Sequence, residues 1–557
     1  MKFDVIAGKI GEFGLYQKRV YFLLCLPALF AGIQTMISVF TLGVPKHRCA
    51  IPSLHNDSYK VIDDSHRSLI NQSIPISVSF KGQRSYDKCH LIDAATNRSE
   101  GSGQHECSMW VYDKEFFDDT VITKFNLVCE DKLARAHARM ILMSGYLLGS
   151  VLTGIIADAV GRKMALMLLI VIHSTSSIAT AWAPSFIVYV CLRFFTGISN
   201  SGLFLVVFVL GVELVGPSKR MLAGIIVEYF WAFGVMILGG VAYALRDWQL
   251  LQMTFAFPSI ILLSYWWLIP ESPRWLMAKS RHEEAETIIR DMARVNQVKL
   301  PKSLFKQDDV AGEPVSQENV HKVDVWQVFK SPILVFRTVV IFINWFVVSM
   351  VFYGLSMNAD SLGGNLYVNF ELLTFMEVVA YVLCLLFLNR FGRKKVHCTS
   401  MLVGGLACIG TLFVNLYGDE SLNWINIILA LIGKVGAAAG FAVIFFYSAE
   451  LFPTVLRNSF MGAGSVFARI GGMVSPYIAD LGTVVGGNFG PSLPLLICGL
   501  ASIFAGCAAL TLPETLHKDL PETIDDAKKF GREPVVKPDS DKEEGREMLE
   551  KDVTSLV

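Results

Sequence analysis

Long apolar runs recur along the chain at intervals that leave little room for anything but membrane-spanning helices. A helix needs roughly 20 apolar residues to cross the hydrocarbon core. Twelve segments reach that length: about residues 20–42, 138–158, 164–183, 186–210, 222–245, 248–268, 334–356, 366–388, 396–416, 423–447, 458–480 and 491–512. Three polar stretches break the rhythm, at 43–137, at 269–333 and from about 513 onward. The pattern predicts an all-α membrane protein of twelve spans in two six-helix bundles. Its parts are an N-terminal segment 1–19, a first bundle 20–268 with a large loop 43–137, a linker 269–333, a second bundle 334–512 and a tail 513–557.

Sidedness follows from the short loops, because Lys and Arg accumulate on the cytoplasmic side. One set of loops carries Arg162 and Lys163, Lys219 and Arg220, Arg390, Arg393, Lys394 and Lys395, and Arg457, whereas the alternate set offers only Arg246. Both termini and the linker are therefore expected inside, and residues 43–137 outside. That outer segment holds three glycosylation sequons, at Asn56, Asn71 and Asn97, usable only in a lumen. It also holds Cys49, Cys89, Cys107 and Cys129, from which two disulfides are expected; four cysteines allow about three pairings, and spacing does not choose among them. The other seven cysteines fall within spans and are expected as small buried side chains without metal-ligand spacing.

Composition adds exclusions. The chain of 557 residues is 53% apolar and 18% charged with a formal net charge of zero, so it has no basic surface for nucleic acid. No GxxxxGK[ST] loop occurs, so ATP drive is not expected, and nothing points to an enzyme, a metal or a cofactor. The N-terminus has charges and glycines before its first apolar run and is not expected to be a removable signal peptide. The last residues end Ser555-Leu-Val557, a terminus of the kind that adds a strand to a PDZ groove.

The halves repeat. GIIADAVGRK (154–163) answers LNRFGRKK (388–395), ELVGPSKR (213–220) answers ELFPTVLR (450–457), and PES (270–272) answers PET (513–515), at separations of 231, 237 and 243 residues. Duplication with charged motifs at equivalent helix ends marks a secondary transporter whose halves rock about a midplane site. Asp158, Gly161, Arg162, Glu213 and Arg220, with Asn389, Arg393, Glu450 and Arg457 in the second half, are the candidate gating residues. Their ion pairs are expected to form in one rocking state and break in another; the plainer reading is charge that only sets topology.

The GxxxDxxGRK motif resembles the signature of the major facilitator superfamily. PESPRWL (270–276), AELFPTVLRN (449–458) and the amphipathic stretch 282–295 resemble its organic ion transporter family, over nearly the whole chain. YGLSMN (353–358), MEVVAYV (376–382) and GKVGAAAGF (433–441) are most similar to the carnitine and organic cation branch. The resemblance implies a plasma-membrane alternating-access carrier of small organic cations, zwitterions or anions. It also implies a link between position 200 and sodium use: Asn200 stands where the carnitine branch often has glutamine, which leaves ion coupling open.

Within the spans, Glu377 and Arg469 fall at equal depth, each eleven residues or ~16 Å from the inner boundary. A charge there costs at least ~2.5–3.5 kcal/mol, so each is expected to face a wet cavity or a partner. The bland alternative is that the two pair with each other. The functional reading gives a carboxylate and aromatic faces to a quaternary ammonium, and the guanidinium fork to a ligand carboxylate. Helical period adds Tyr381 beside Glu377; Trp345, Ser349 and Phe352 on the seventh span; Lys434, Phe441 and Phe445 on the tenth; and Glu228 with Trp231 on the fifth. Lys434 is either a substrate contact or a counter-charge for Glu228 or Glu377. His173 and Gln34 are read as packing or interhelical hydrogen bonds rather than proton relays. The sequence thus predicts a carrier of carnitine-like zwitterions and organic cations, with an organic anion exchanger, and a non-transporting receptor on the same scaffold, as alternatives.

Overall fold

The structure is a computed structural model that describes residues 3–531, apart from 53, 55–56, 79–83, 93–102, 217–218, 301–327, 329, 360–361, 419, 454–455, 486–489, 519–520 and 522. Asn56, Asn97 and the Ser555 to Val557 terminus lie outside the described residues.

Helices stand where the apolar runs predict them: α1 (Leu15–Met36), α2 (Ala134–Val160), α3 (Arg162–Ala181), α4 (Phe186–Leu214), α5 (Arg220–Ala244), α6 (Trp248–Leu268), α7 (Pro332–Met357), α8 (Leu366–Phe391), α9 (Arg393–Tyr417), α10 (Asn423–Leu451), α11 (Arg457–Val485) and α12 (Leu493–Ala509). Among the described residues ten helices are long and apolar enough to cross a membrane. The other two differ for visible reasons: α12 has 17 residues, and α11, with 29, sets Arg469, Pro476 and Asp480 among its apolar positions. In α6 the α-helix gives way to 3-10 geometry over Phe257–Ser264, where Pro258 removes a backbone donor.

Within each half the helices pack through small residues, as membrane helices do when backbones must approach closely. In the first half α2 lies on α4, where a Cβ on Gly149 would run into the backbone of Ile198. In the second, α9 lies on α10 and α12, and α7 on α11. The halves meet where α2 runs against α11 and α5 against α8. At the end that carries residues 43–133 this seam is shut. Asp480 of α11 pairs with Arg135 of α2 and stands 3.8 Å from Arg139, all three buried. Beside them Tyr367 donates to the Phe116 carbonyl at 2.5 Å, and Phe40 packs on Tyr367 and Phe370.

The polar segment between α1 and α2 folds on three two-stranded ladders: β1 (His47–Cys49) with β6 (Trp110–Tyr112), β2 (Ile76–Val78) with β3 (Arg84–Tyr86), and β4 (His90–Ile92) with β5 (Gln104–Glu106). Disulfides join Cys49 to Cys107 and Cys89 to Cys129, which settles the pairing. Asn71 is exposed on a short helix and accepts from the Tyr86 hydroxyl at 2.6 Å.

A buried ion cluster holds the segment's entry. Arg48 grips Asp57 with both terminal nitrogens, and His66 Nε2 approaches the same carboxylate at 3.1 Å. Burial works to raise the Asp57 pKa, yet the Arg48 bond, the Ile51 N–H, the Arg48 charge and the His66 bond together hold it below the usual carboxylate range. A depressed folded pKa supplies stability that is present above the unfolded value and lost as pH falls through the folded one. The segment's protease resistance is therefore expected to hold near neutrality and fall below about pH 4. Asp57→Asn should be sensitive already at neutrality and show little further change in acid; an acid loss as steep as the parent's would contradict this.

One sequence expectation fails. Cys191 and Cys507 are exposed on the outer surface of the bundle instead of buried. In a helix bathed by lipid the outer face is as apolar as the inner one, so apolar character does not report burial.

Candidate functional site

The deepest charges lie between the halves. Glu377 on α8 and Lys434 on α10 form an ion pair, with Lys434 Nζ 2.7 Å from Glu377 Oε1 and both side chains almost wholly buried. Lys434 Nζ also donates to Ser356 Oγ at 2.6 Å and sits 3.6 Å from the centre of the Phe352 ring. The lysine is thus the counter-charge of Glu377. The pair of the plainer reading, Glu377 with Arg469, does not form: Glu377 turns to Lys434 within the second half, whereas Arg469 lies over the Tyr146 ring of the first.

Glu377 keeps its second oxygen, Oε2, without a protein hydrogen bond. The carboxylate borders a cleft between the halves, lined by Met36 and Val235 from the first and by Ser356, Phe370, Leu373, Thr374 and Glu377 from the second. Its atom-free space of about 190 Å³ is cut into narrow crevices, smaller than ligand sites usually are. The site is drawn closed, without seating space for a substrate.

Arg469 on α11 reaches the first half. Its guanidinium carbon lies 5.4 Å from the Tyr146 ring centre, and Tyr353 is close enough to interact with it electrostatically. Glu228 on α5 is close enough to interact electrostatically with both Arg469 and Glu377. Tyr146 continues into the first half: its hydroxyl meets Thr35 Oγ1 and accepts from Asn200 Nδ2 at 2.5 Å. Asn200 also donates to the Ala31 carbonyl at 2.9 Å, and through Tyr146 the candidate for ion coupling is one residue removed from Arg469.

The aromatic positions chosen by period join into a wall. Phe352 stacks on Phe441 at 5.3 Å, Phe441 meets Phe445 edge-on at 5.6 Å, and Phe445 meets Trp345 at 4.4 Å. Trp345 Nε1 is tied to Ser448 Oγ at 2.9 Å. Opposite, Trp231 packs edge-on to Phe204, and Tyr381 meets Tyr229 across the seam at 5.9 Å.

The candidate gating residues cluster at the far end of each half. Arg162 reaches Asp158 at 3.0 Å and Glu213 at 3.2 Å. Arg393 reaches Glu450 at 3.0 Å, while Asn389, in the position of Asp158, is exposed. These pairs tie helices within one half. The sequence reading missed their third member, the glutamate of PES and PET. Glu271 accepts the Arg162 N–H at 2.9 Å and Glu514 that of Arg393 at 2.9 Å, each capping a helix start as an N-terminal anion should. Gly161 and Gly392 precede those starts at φ of +105° and +95°, and a Cβ on either would collide with its glutamate. The signal was present, since PES and PET recur in register with both motifs. Arg220 and Arg457 open α5 and α11. Asp480, Arg135 and Arg139 were also missed.

Residues 120–526 match the family model described as "Sugar (and other) transporter". An organic cation transporter protein of Drosophila melanogaster is 38% identical over 554 residues, covering 98% of this chain and 97% of its own. The organic cation/carnitine transporter 2 of Homo sapiens is 30% identical over 540 residues, covering 94% and 93%. Among solved structures, the xylose transporter XylE of E. coli, in a partially occluded inward open conformation, superposes with a TM-score of 0.60 at 15% identity, over 91% of this chain and all of that one. The charged seam between two six-helix halves is thus that of a multi-pass carrier and not of an enzyme: the chain belongs to the sugar (and other) transporter family, with the major facilitator fold, and to its organic cation transporters.

Proposed function

We propose that the chain carries carnitine-like zwitterions and small organic cations across the plasma membrane by alternating access. The observation that carries this reading is the charge balance of the central site. Two acids, Glu228 and Glu377, stand beside two bases, Lys434 and Arg469, so the site offers both kinds of group to a zwitterion. Glu377 Oε2 and the Phe352, Phe441 and Phe445 faces suit a quaternary ammonium, which has no hydrogen to donate. Arg469 supplies the fork for a carboxylate. An anion exchanger needs spare positive charge, and the 2.7 Å pair with Glu377 takes Lys434 out of that role.

In this reading the large loop faces outside, with Asn71 glycosylated, and both termini face the cytoplasm, where Ser555 to Val557 can meet a PDZ domain. The loop-end seam closed by Asp480 opens in the alternate state, while the helix-start clusters of Arg162 and Arg393 hold each half rigid as it rocks.

The test is uptake by cells expressing the protein, using labelled carnitine, tetraethylammonium and para-aminohippurate, with and without sodium because of Asn200. Carnitine and tetraethylammonium are expected to enter and para-aminohippurate to be refused. Arg469→Ala should weaken carnitine by roughly 10- to 150-fold in KM, the worth of about 1.5–3 kcal/mol for a hydrogen bond to a charged group. Tetraethylammonium should be little changed. Equal losses for both compounds at equal surface expression would sink the assignment.

A further inference from the structure

Arg193 stands on α4, 2% exposed, inside the first half. Its terminal nitrogens donate to Gln34 Oε1 at 3.3 Å and to the Gln34 carbonyl at 3.1 Å, and among the described residues no carboxylate pairs with it. A guanidinium does not shed its proton at physiological pH, so unlike a buried lysine it cannot become neutral. Burying such a charge without a counter-ion is costly.

The atoms around it are short of acceptors. Gln34 Nε2, Ser177 Oγ and both ring nitrogens of His173 have no protein partner, and all three residues are 0% exposed. They belong to one cluster. Gln252 Nε2 bridges Gln34 Oε1 at 3.3 Å and the Ser177 carbonyl at 3.0 Å, and Arg193 acts electrostatically on His173. An amide, a hydroxyl and an imidazole N–H are left with hydrogens to give beside an uncompensated cation.

The second half shows the same problem solved internally. One of its buried cations, Lys434, has Glu377. Subtracting the 231-residue separation of Gly161 and Gly392 from 377 gives position 146, where the first half has an uncharged tyrosine. Beside Arg193 the described residues of the first half hold no such internal counter-ion.

We propose that this cluster, between α1, α3, α4 and α6, binds a small monovalent anion of the halide class, held by Arg193, Gln34 Nε2, Ser177 Oγ and a His173 N–H. Full burial of every donor favours a monoatomic ion over a polyatomic one. The site is separate from the substrate cleft, and its test does not depend on transport.

The experiment is the melting temperature of the purified full-length protein in sodium chloride, sodium bromide and sodium gluconate at equal ionic strength. Halide is expected to raise it by several degrees over gluconate. Ser177→Ala removes one donor with little change of volume and should shrink that shift at least by half, whether or not Arg193→Gln folds. Arg469→Ala should keep it. Equal melting in all three salts means that water fills the cluster and overturns the proposal. So does a shift that Ser177→Ala leaves intact, and so does one that Arg469→Ala abolishes, since the anion would then sit in the substrate cleft.

Discussion

Glu377→Gln is expected to cut tetraethylammonium and carnitine uptake by at least 100-fold and to lower the melting temperature as well. Two losses combine. The ligand ammonium loses the one oxygen, Oε2, that carries no protein hydrogen bond. Lys434, fully buried, loses the carboxylate 2.7 Å away and keeps only Ser356, the Phe352 carbonyl and the Phe352 ring. Removing one partner of a buried pair costs about 3–5 kcal/mol, because the remaining charge is stranded. The double variant Glu377→Gln, Lys434→Gln separates the two effects. It restores most of the stability, since the stranded charge goes too, and it does not restore uptake of cations. If uptake returns with stability, Glu377 is only the lysine's counter-ion and the substrate role given to it is wrong.

Asp480→Asn should act on the conformational equilibrium. In the structure this carboxylate faces two buried arginines of the other half, Arg135 and Arg139, at the loop-bearing end of the seam. With the charge gone, the arginines regain hydration only if the halves part there. A penalty of about 3 kcal/mol moves a two-state balance by roughly 150-fold toward the state open at that end. A cysteine introduced at Thr374, on the cleft, should then react with an impermeant thiol reagent applied from the loop-bearing face, and turnover should fall because the return step has become uphill. Unchanged labelling in Asp480→Asn would mean that these charges do not hold the seam shut.

The helices were legible because each must carry some twenty apolar residues, and the two halves because three motifs recur in register. The aromatic wall was legible for the same kind of reason. Trp345 and Phe352 lie two turns apart on α7, and Phe441 and Phe445 one turn apart on α10, so a period of 3.6 puts each pair on one face. What period cannot supply is the rotation of one helix against another. The choice of Lys434 between Glu228 and Glu377 depends on how α10 turns toward α8, and the pairing of Cys49 with Cys107 on how β1 finds β6. Arg135, Arg139 and Asp480 were overlooked because a charge near a predicted helix end is unremarkable until the opposite sign is seen across the seam. Glu271 and Glu514 were visible as repeats, but their task appears only once a glycine at positive φ brings a helix start against them.

The amphipathic helix His282–Val295 follows α6. Its buried face, Ile289, Met292 and Ala293, joins the same apolar cluster as Ile6, Ile10 and Leu24, and Asn296 bonds Gln17 Oε1 at 2.8 Å and the Tyr16 N–H at 2.9 Å. The helix is cargo of the first bundle. Only the chain from 296 to the start of α7 at Pro332 joins one bundle to the other, and thirty-odd residues can reach ~100 Å. A covalent link of that contour length does not by itself fix how the bundles meet. A gene cut between codons for residues 310 and 320, expressed as two polypeptides, should therefore reassemble into a working carrier, its halves finding each other through their shared seam alone.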